Sequence, residues 1–233
     1  MSPTAARNTT SGDDLSPKSA DTRQKLMAGA VETLRDKGFA AASARTIATA
    51  AGVNQALIFY HFGSVDELVD IACRAATEER VALYRERLAV VGSLTELLTM
   101  GRELHDAEKA AGNVTMLAQV LAGAQHHERL AGTAKHCLDL WIVEIQATLD
   151  RVLTGSPVAE ALDLPGLTRG IAAAFIGLEL YEGVDSAGGA VAWSALEQLS
   201  VLVDVVDDLG PVARRALRAR LRKQARRGAS SHG

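Results

Sequence analysis

Apolar side chains recur along most of this chain at the three-to-four-residue spacing of an amphipathic helix, and glycines and capping residues interrupt them. Residues 1–20 are the exception: rich in Ser, Thr, Ala and Asp without an apolar period, they predict a disordered tail. Asp21 stands where an N-cap is expected. Leu26, Ala30, Val31 and Leu34 then mark the inner face of a first helix, which Gly38 ends as a C′ glycine. Ser43 is placed to cap a short second helix, Ala44 to Ala51, stopped by Gly52, and Asn54 to cap a third, Gln55 to His61. Gly63-Ser64 precedes a fourth, whose first turn sets Asp66 and Glu67 against the positive end of the helix dipole.

Longer periodic stretches follow. They predict helices over about 64–88, 93–110, 113–124, 127–153, 165–183 and 188–207, with breaks at Gly155-Ser156-Pro157 and from Gly183 to Gly189. Gly210-Pro211 separates the last of these from a basic helix over about 211–226. The fold class this predicts is all-α: three short helices, then a larger helical body.

Composition narrows the function classes. With 48% hydrophobic residues in 233 the chain can bury a core, while 4% aromatics and five prolines argue against an all-β protein. No apolar run approaches the roughly 18 residues that cross a bilayer, and the N-terminus lacks the apolar stretch of a secretion signal. A cytoplasmic protein without membrane partners is expected. Cys73 and Cys137 are too few for a disulfide framework, and neither sits in a C-x-x-C, so reduced structural cysteines are expected. The net charge of -3 hides an uneven distribution. Residues 209–233 carry eight basic groups and no acid, whereas Gly63 to Asp208 sets ten basic residues against 23 acids. A basic end is a hint of polyanion contact, although solvated charge runs are common.

The most informative stretch is Ser43 to Phe62, SARTIATAAGVNQALIFYHF. Two short helices that cross tightly need a small residue, which Ala48 supplies, and a turn tolerant of positive φ, which Gly52 supplies four residues later. Ile47, Ala51, Val53 and Ile58 meet the demand for apolar inner positions, and Asn54, Gln55 and Ala56 leave the outer side of the second helix polar or small. An ordinary helical hairpin meets some of these demands; their agreement across 20 residues favours a helix-turn-helix, whose second helix lies in the DNA major groove.

Arg23 to Leu68 resembles the DNA-binding domain of the TetR family of transcriptional regulators. The matching pieces are Arg35-Asp36-Lys37-Gly38-Phe39, Ile47-Ala48, Ala51-Gly52-Val53, Phe59-Tyr60-His61-Phe62-Gly63-Ser64 and Asp66-Glu67-Leu68. The resemblance implies that Ser43 and Arg45 reach phosphates and that Asn54, Gln55, Ala56 and Leu57 face base edges. Tyr60 and His61 are implied to touch the backbone, and Phe39 and Phe62 to pack the core of the three helices. The chemistry suits these roles, since glutamine can read adenine and small apolar groups meet thymine methyls. Two positions depart from the family pattern: Phe59 stands where tyrosine is common and Val65 where lysine is common. Each departure removes a phosphate contact, so a shallower salt dependence of DNA binding is expected.

For the rest of the chain the resemblance implies a variable body that pairs two copies and holds a small-molecule effector of unknown identity. The pairing surface would be the helices at about 165–183 and 188–207. There Leu167, Ile171, Phe175 and Leu178 make one apolar stripe, and Leu196, Leu199, Leu202, Val203 and Val206 another. Those stripes equally suit the interior of one chain. Candidate pocket residues are Met100, Leu104, His105, Met116, Gln119, Val120, Cys137, Trp141, Phe175 and Glu179, a mostly apolar set with a few polar groups; each also reads as plain core. Glu144, Glu179 and Glu182 with Trp141 and Tyr181 would suit a cationic ligand, or else be solvated. His105, His126, His127 and His136 lack metal-ligand spacing and read as surface residues, so no metal and no cofactor is expected. Catalytic motifs are lacking, which argues against an enzyme.

The basic C-terminal helix sets Ala213, Leu217 and Leu221 on one side, which favours packing on the body over binding DNA, acidic lipid or a partner. The expected organisation is a tail (1–20), a helix-turn-helix domain (21–69), an effector-binding and dimerisation domain (70–208) and a basic C-terminal segment (209–233). The expected function is a homodimeric repressor that a ligand releases from a double-stranded operator, an inverted repeat. A transcriptional activator of the same fold, or a helical ligand-binding or scaffold protein with lost DNA binding, stays open.

Overall fold

A computed structural model describes residues 16–156, 159, 162–207, 209–213, 215–217 and 219–220. Nine α-helices are defined among them. The first four are α1 (Pro17–Lys37), α2 (Ala44–Ala51), α3 (Ala56–Phe62) and α4 (Val65–Val90). The body continues with α5 (Leu94–Ala110), α6 (Asn113–Ala124), α7 (Glu128–Val152), α8 (Leu164–Glu182) and α9 (Ser186–Asp207). A 3-10 turn at Phe39–Ala41 joins α1 to α2. No strand occurs among the described residues, and the all-α class holds.

Local chemistry accounts for most helix ends. Ser43, Ser64 and Ser93 each accept a hydrogen bond from the third backbone N–H of the helix they precede, and acids follow in the first turns of α4 and α5. One start differs from expectation. Ser16, not Asp21, caps α1, and Pro17 follows at a position where its fixed φ and missing N–H suit a helix. Asp21 instead lies inside α1 and pairs with Lys25 at 2.7 Å. The tail expected over 1–20 is therefore helical from residue 17; residues 1–15 lie outside the described part. At the other end, the described residues from 211 to 220 are helical, and the remainder of the expected basic helix lies outside the description.

One apolar core runs without a break from the first four helices into the body. Leu26, Leu34, Ile47, Ile58 and Leu68, all fully buried, share it with Val120 of α6 and with Leu130 and Ala134 of α7. Helix α4 passes straight through the expected boundary at 69/70 and packs along α7. A second core gathers Tyr84, Leu88, Val91 and Met100 at the far end, with Leu97, Leu104, Trp141 and Val152 around it. Arg151 closes that end by donating to the last carbonyls of α4, at 2.5 Å to Leu88 O and 3.2 Å to Val91 O. Helix α8 lies on α7, and α9 lies on α5 and α8.

Candidate functional site

The outward part of the N-terminal unit is built from α2 and α3. Ser43 Oγ accepts from Thr46 N at 3.2 Å, and Thr46 Oγ1 accepts from Ser43 N at 2.9 Å, a reciprocal cap. The Thr46 hydroxyl also lies 2.6 Å from Ala41 O, to which it donates. With that proton engaged, the exposed Ser43 hydroxyl donates to Thr46 Oγ1 at 2.9 Å. Arg45 is exposed in the same first turn. Gly52, at φ 66 and ψ 31, makes the left-handed turn between the helices, where a Cβ would strain the backbone.

The tight crossing that brings α2 against α1 rests on a residue the sequence pattern did not single out. A Cβ on Gly29 would stand 2.8 Å from Ala51 N and 3.0 Å from Ile47 O. A glycine in the middle of an otherwise strong helix was the available signal.

Helix α3 starts where Asn54 Oδ1 accepts from Ala56 N at 2.9 Å. Asn54, Gln55, Ala56 and Tyr60 are exposed, Tyr60 by 79%. Leu57, expected at a base edge, is half-buried and packs on the core, so only part of it faces outward. His61 is half-buried, with its ring edge-on to Tyr60 at 4.9 Å. Arg23 of α1 donates to His61 O at 3.1 Å and lays its guanidinium 4.4 Å from the Phe62 ring centre, fixing the end of α3. Phe62 is buried, and Phe39, partly buried, packs against the same core with its ring 5.4 Å from His127 and beside Gly123 of α6. Phe59 is 54% exposed, and Val65 is half-buried against the core.

The ten body residues do not converge on one centre. Met116, Val120 and Cys137 belong to the core shared with α1–α4, and Gln119 backs Gly38, its Oε1 3.0 Å from where a Cβ would stand. Met100, Leu104 and Trp141 lie in the second core, with Trp141 6.1 Å from the Tyr84 ring. His105, Phe175 and Glu179 form a third group with Trp193 and Glu182. A surface groove of about 340 Å³ between the end of α4 and α5 is lined by Arg87, Val90, Val91, Thr95, Glu96, Thr99, Met100 and Glu103, and holds only Met100 of the ten.

The third group overturns two expectations. His105 is no surface residue: it is 1% exposed, because carboxylates from α8 meet both of its nitrogens. Glu179 is not solvated but 4% exposed. The distances are 2.5 Å from His105 Nε2 to Glu182 Oε2 and 3.4 Å from His105 Nδ1 to Glu179 Oε1. Lys109 Nζ donates to Glu182 Oε1 at 2.6 Å. Burial pushes the Glu179 carboxyl up to about 6, against the pull of His105. The Lys109 hydrogen bond holds the Glu182 carboxyl below its ordinary range. The other residues of the expected cation set go elsewhere: Glu144 pairs with Arg85 at 2.7 Å, and Tyr181 donates to Asp185 at 3.1 Å.

Polar contacts also tie the body to α1. Arg35 Nη2 donates to Asn113 Oδ1 at 3.1 Å, Asn113 Nδ2 donates to Glu108 Oε2 at 2.6 Å, and Glu108 pairs with Arg80 of α4. Both cysteines are free, and burial pushes the Cys73 thiol up to about 12 and the Cys137 thiol upward. Among the described residues no group of three His, Cys, Asp or Glu side chains is arranged to hold a metal ion. None of the described helices is long and apolar enough to cross a membrane.

Residues 26–72 match the family model described as bacterial regulatory proteins, tetR family. Comparison with curated protein sequences gives no match. Solved structures share the fold. A TetR-family transcriptional regulator from Rhodococcus sp. superposes with a TM-score of 0.65 at 20% identity, covering 80% of this chain and 98% of that one. FadR from Bacillus subtilis, in complex with stearoyl-CoA, gives 0.64 at 14% identity over 76% and 97% of the two chains. The multidrug binding protein EbrR, complexed with proflavin, gives 0.54 at 19% over 78% and 99%. The matched segment coincides with the helix-turn-helix, and the all-α fold is shared with TetR-family transcriptional regulators over most of each chain.

Proposed function

We propose that this protein is a homodimeric DNA-binding repressor, released from its operator by a small molecule held in the body. The observation that carries the DNA-binding part is the outward face of α2 and α3. Ser43, Arg45, Asn54, Gln55, Ala56 and Tyr60 are all exposed on a rigid, doubly capped helix pair. Phosphate contacts from Ser43, Arg45, Tyr60 and His61 would set register, and Asn54, Gln55, Ala56 and the free part of Leu57 would read bases.

Pairing is supported by α8 and α9. Leu180, Tyr181, Val184, Val191, Val201 and Val205 are exposed, with Val191 exposed by 71%. Gly170 and Gly177 face open space, which admits close approach of a second copy. Such an apolar surface suits an interface between copies, and two heads would then reach successive major grooves of an inverted repeat, about 34 Å apart. The stripes expected to make that contact lie differently: Leu178 is buried, and Leu167, Ile171, Phe175 and Leu196 are half-buried within one chain. The side chains of Leu199, Leu202, Val203 and Val206 lie outside the described part.

The bound stearoyl-CoA and proflavin in FadR and EbrR support a ligand-holding body of this fold. The core shared by α1–α4, α6 and α7 offers the mechanical link to the head. Release requires that the ligand bind the DNA-free geometry more tightly than the DNA-bound one.

A scaffold protein with lost DNA binding is favoured by one observation, the apolar Phe59 exposed where a phosphate donor is common. Fluorescence anisotropy with DNA from the protein's own upstream region decides between the two. Salt-sensitive, sequence-specific binding that falls about 5- to 150-fold in Gln55→Ala is expected. Equal affinity for that DNA and a scrambled duplex would refute the regulator reading. An activator would raise rather than lower expression of a reporter behind the same DNA.

A further inference from the structure

The chain leaves the body at the end far from α3. Helix α4 carries it there, since its 26 residues rise about 39 Å. Helix α5 starts after the turn Val91 to Ser93, and α9 runs along it in the opposite direction. Arg102 of α5 meets Glu197 at 3.3 Å, and His105 meets Trp193 with ring centres 5.7 Å apart. Asp207, the last residue of α9, therefore lies towards the start of α5, beside the end of α4.

What leaves there is a charge run that the body does not cover. From Leu209 to Gly233 the sequence has seven arginines, one lysine and no acid. The described residues from 211 to 220 are helical, and Arg215 and Arg220 are exposed with no acidic partner among the described residues. Val212 is 81% exposed. Of the side expected to pack on the body, Ala213 is exposed and Leu217 only half-buried. Three acids on the flanking helices are engaged by other groups: Glu197 by Arg102, Glu103 by Arg87 and Glu96 by the Gly92 N–H.

The side-chain chemistry narrows the partner. Arg214, Arg218, Arg222 and Arg226 recur every four residues, the spacing that sets side chains on one helix face. Seven guanidiniums to one ammonium favour phosphate, which the planar fork holds with two hydrogen bonds. The apolar side offers two leucines among alanines, and no aromatic residue occurs from 209 to 233. Such a side gives little of the anchoring that lipid-surface helices draw from Trp, Phe and Leu. A row of like charges instead matches the regular charge of a nucleic-acid backbone.

We propose that residues 209–233 form a second nucleic-acid-binding element, which grips the backbone of a duplex other than the one held by α3. Its binding is independent of sequence, because arginines on phosphates carry no base information. In the dimer proposed above, reading heads stand at one end and basic arms at the other, and the protein bridges two stretches of DNA.

The test follows a short labelled duplex of random sequence by fluorescence anisotropy with the full chain. The fourfold variant Arg214→Gln, Arg215→Gln, Arg218→Gln, Arg222→Gln should bind it at least tenfold more weakly at low salt. Its slope of log K against log salt should flatten by about 3 to 4. The same four positions changed to Lys should keep the slope, since charge neutralises phosphates. Equal slopes for wild type and the glutamine variant would overturn the proposal. So would a lowered urea midpoint of that variant with duplex binding unchanged, which would assign the arginines to the body's own acids. Capture of phosphatidylglycerol vesicles in place of duplex would make the segment a lipid anchor and sink the idea equally. Bridging is read on beads: protein held by immobilised upstream DNA should capture the labelled duplex, and the glutamine variant should capture at least tenfold less. No capture, with the slope effect intact, would put the arms on the head's own duplex and refute the second-duplex claim. A head variant, Arg45→Ala with Gln55→Ala, keeps the two readings apart. Binding that depends on the C-terminal arginines and persists there leaves this site standing even if the head reads no sequence. Specific operator binding with random-duplex affinity indifferent to the arginines leaves the regulator and refutes the site.

Discussion

Gly29 has no side chain because the backbone of α2 stands where one would go, 2.8 Å away at Ala51 N. Gly29→Ala gains helix propensity yet forces α1 and α2 apart, and such overpacking costs about 1–3 kcal/mol. A lowered denaturant midpoint with an unchanged slope, together with weaker operator binding, is the expected result; an alanine variant as stable as wild type would show that the crossing yields. Glu179 makes a prediction of opposite sign. Its folded value near 6 lies above the ordinary 4.5, so the folded chain binds this proton more readily than the unfolded one. Its contribution to stability is therefore full below about pH 4.5 and is lost as pH rises through 6. The stability difference between wild type and Glu179→Gln, followed by urea unfolding from pH 4.5 to 7.5, should move against wild type as pH rises. Gly52 and Ala48 could be read from the sequence because a tight turn states its needs within a few residues. His105 could not, because its burial depends on Glu179 and Glu182, more than 70 positions away.

At the scale of elements, helix starts were legible wherever the cap is local, as at Ser43, Ser64 and Ser93. Ser16-Pro17 was equally local, but the surrounding Ser and Thr obscured it. Helix α8 was hard to orient for the opposite reason. Its 19 residues carry so few polar groups that apolar periodicity does not tell an inner face from an outer one, and the stripe expected outside packs inside. Phe59 of α3 is exposed, and Val65, the first residue of α4, is half-buried. Val65 contributes packing where a lysine would offer a phosphate contact. Phe59→Tyr adds a donor without disturbing the core, so the slope of log K against log salt should steepen by up to about 1. An unchanged slope would mean that position 59 does not face a phosphate.

At the scale of the whole molecule, the apolar surface of α8 and α9 predicts that Val191→Asp yields monomers by light scattering. Loss of bivalent binding should weaken operator affinity by about 100-fold or more. A dimer that persists would place the pairing surface elsewhere. The shared core predicts a single unfolding transition, with tryptophan fluorescence, which reports Trp141 and Trp193 in the body, coincident with a fluorophore attached at position 60 in the head. That core also limits what can be transplanted between such regulators. A graft cut at residue 69 would strip Leu68 and Val69 from the core they share with Val120, Leu130 and Ala134, leaving two apolar faces in water. A working chimera has to import α6 and the first half of α7 with the head. Otherwise it has to leave the scaffold whole and exchange only Asn54, Gln55 and Ala56, the exposed side chains proposed to read bases, so that DNA preference would travel as a handful of side chains and not as a module.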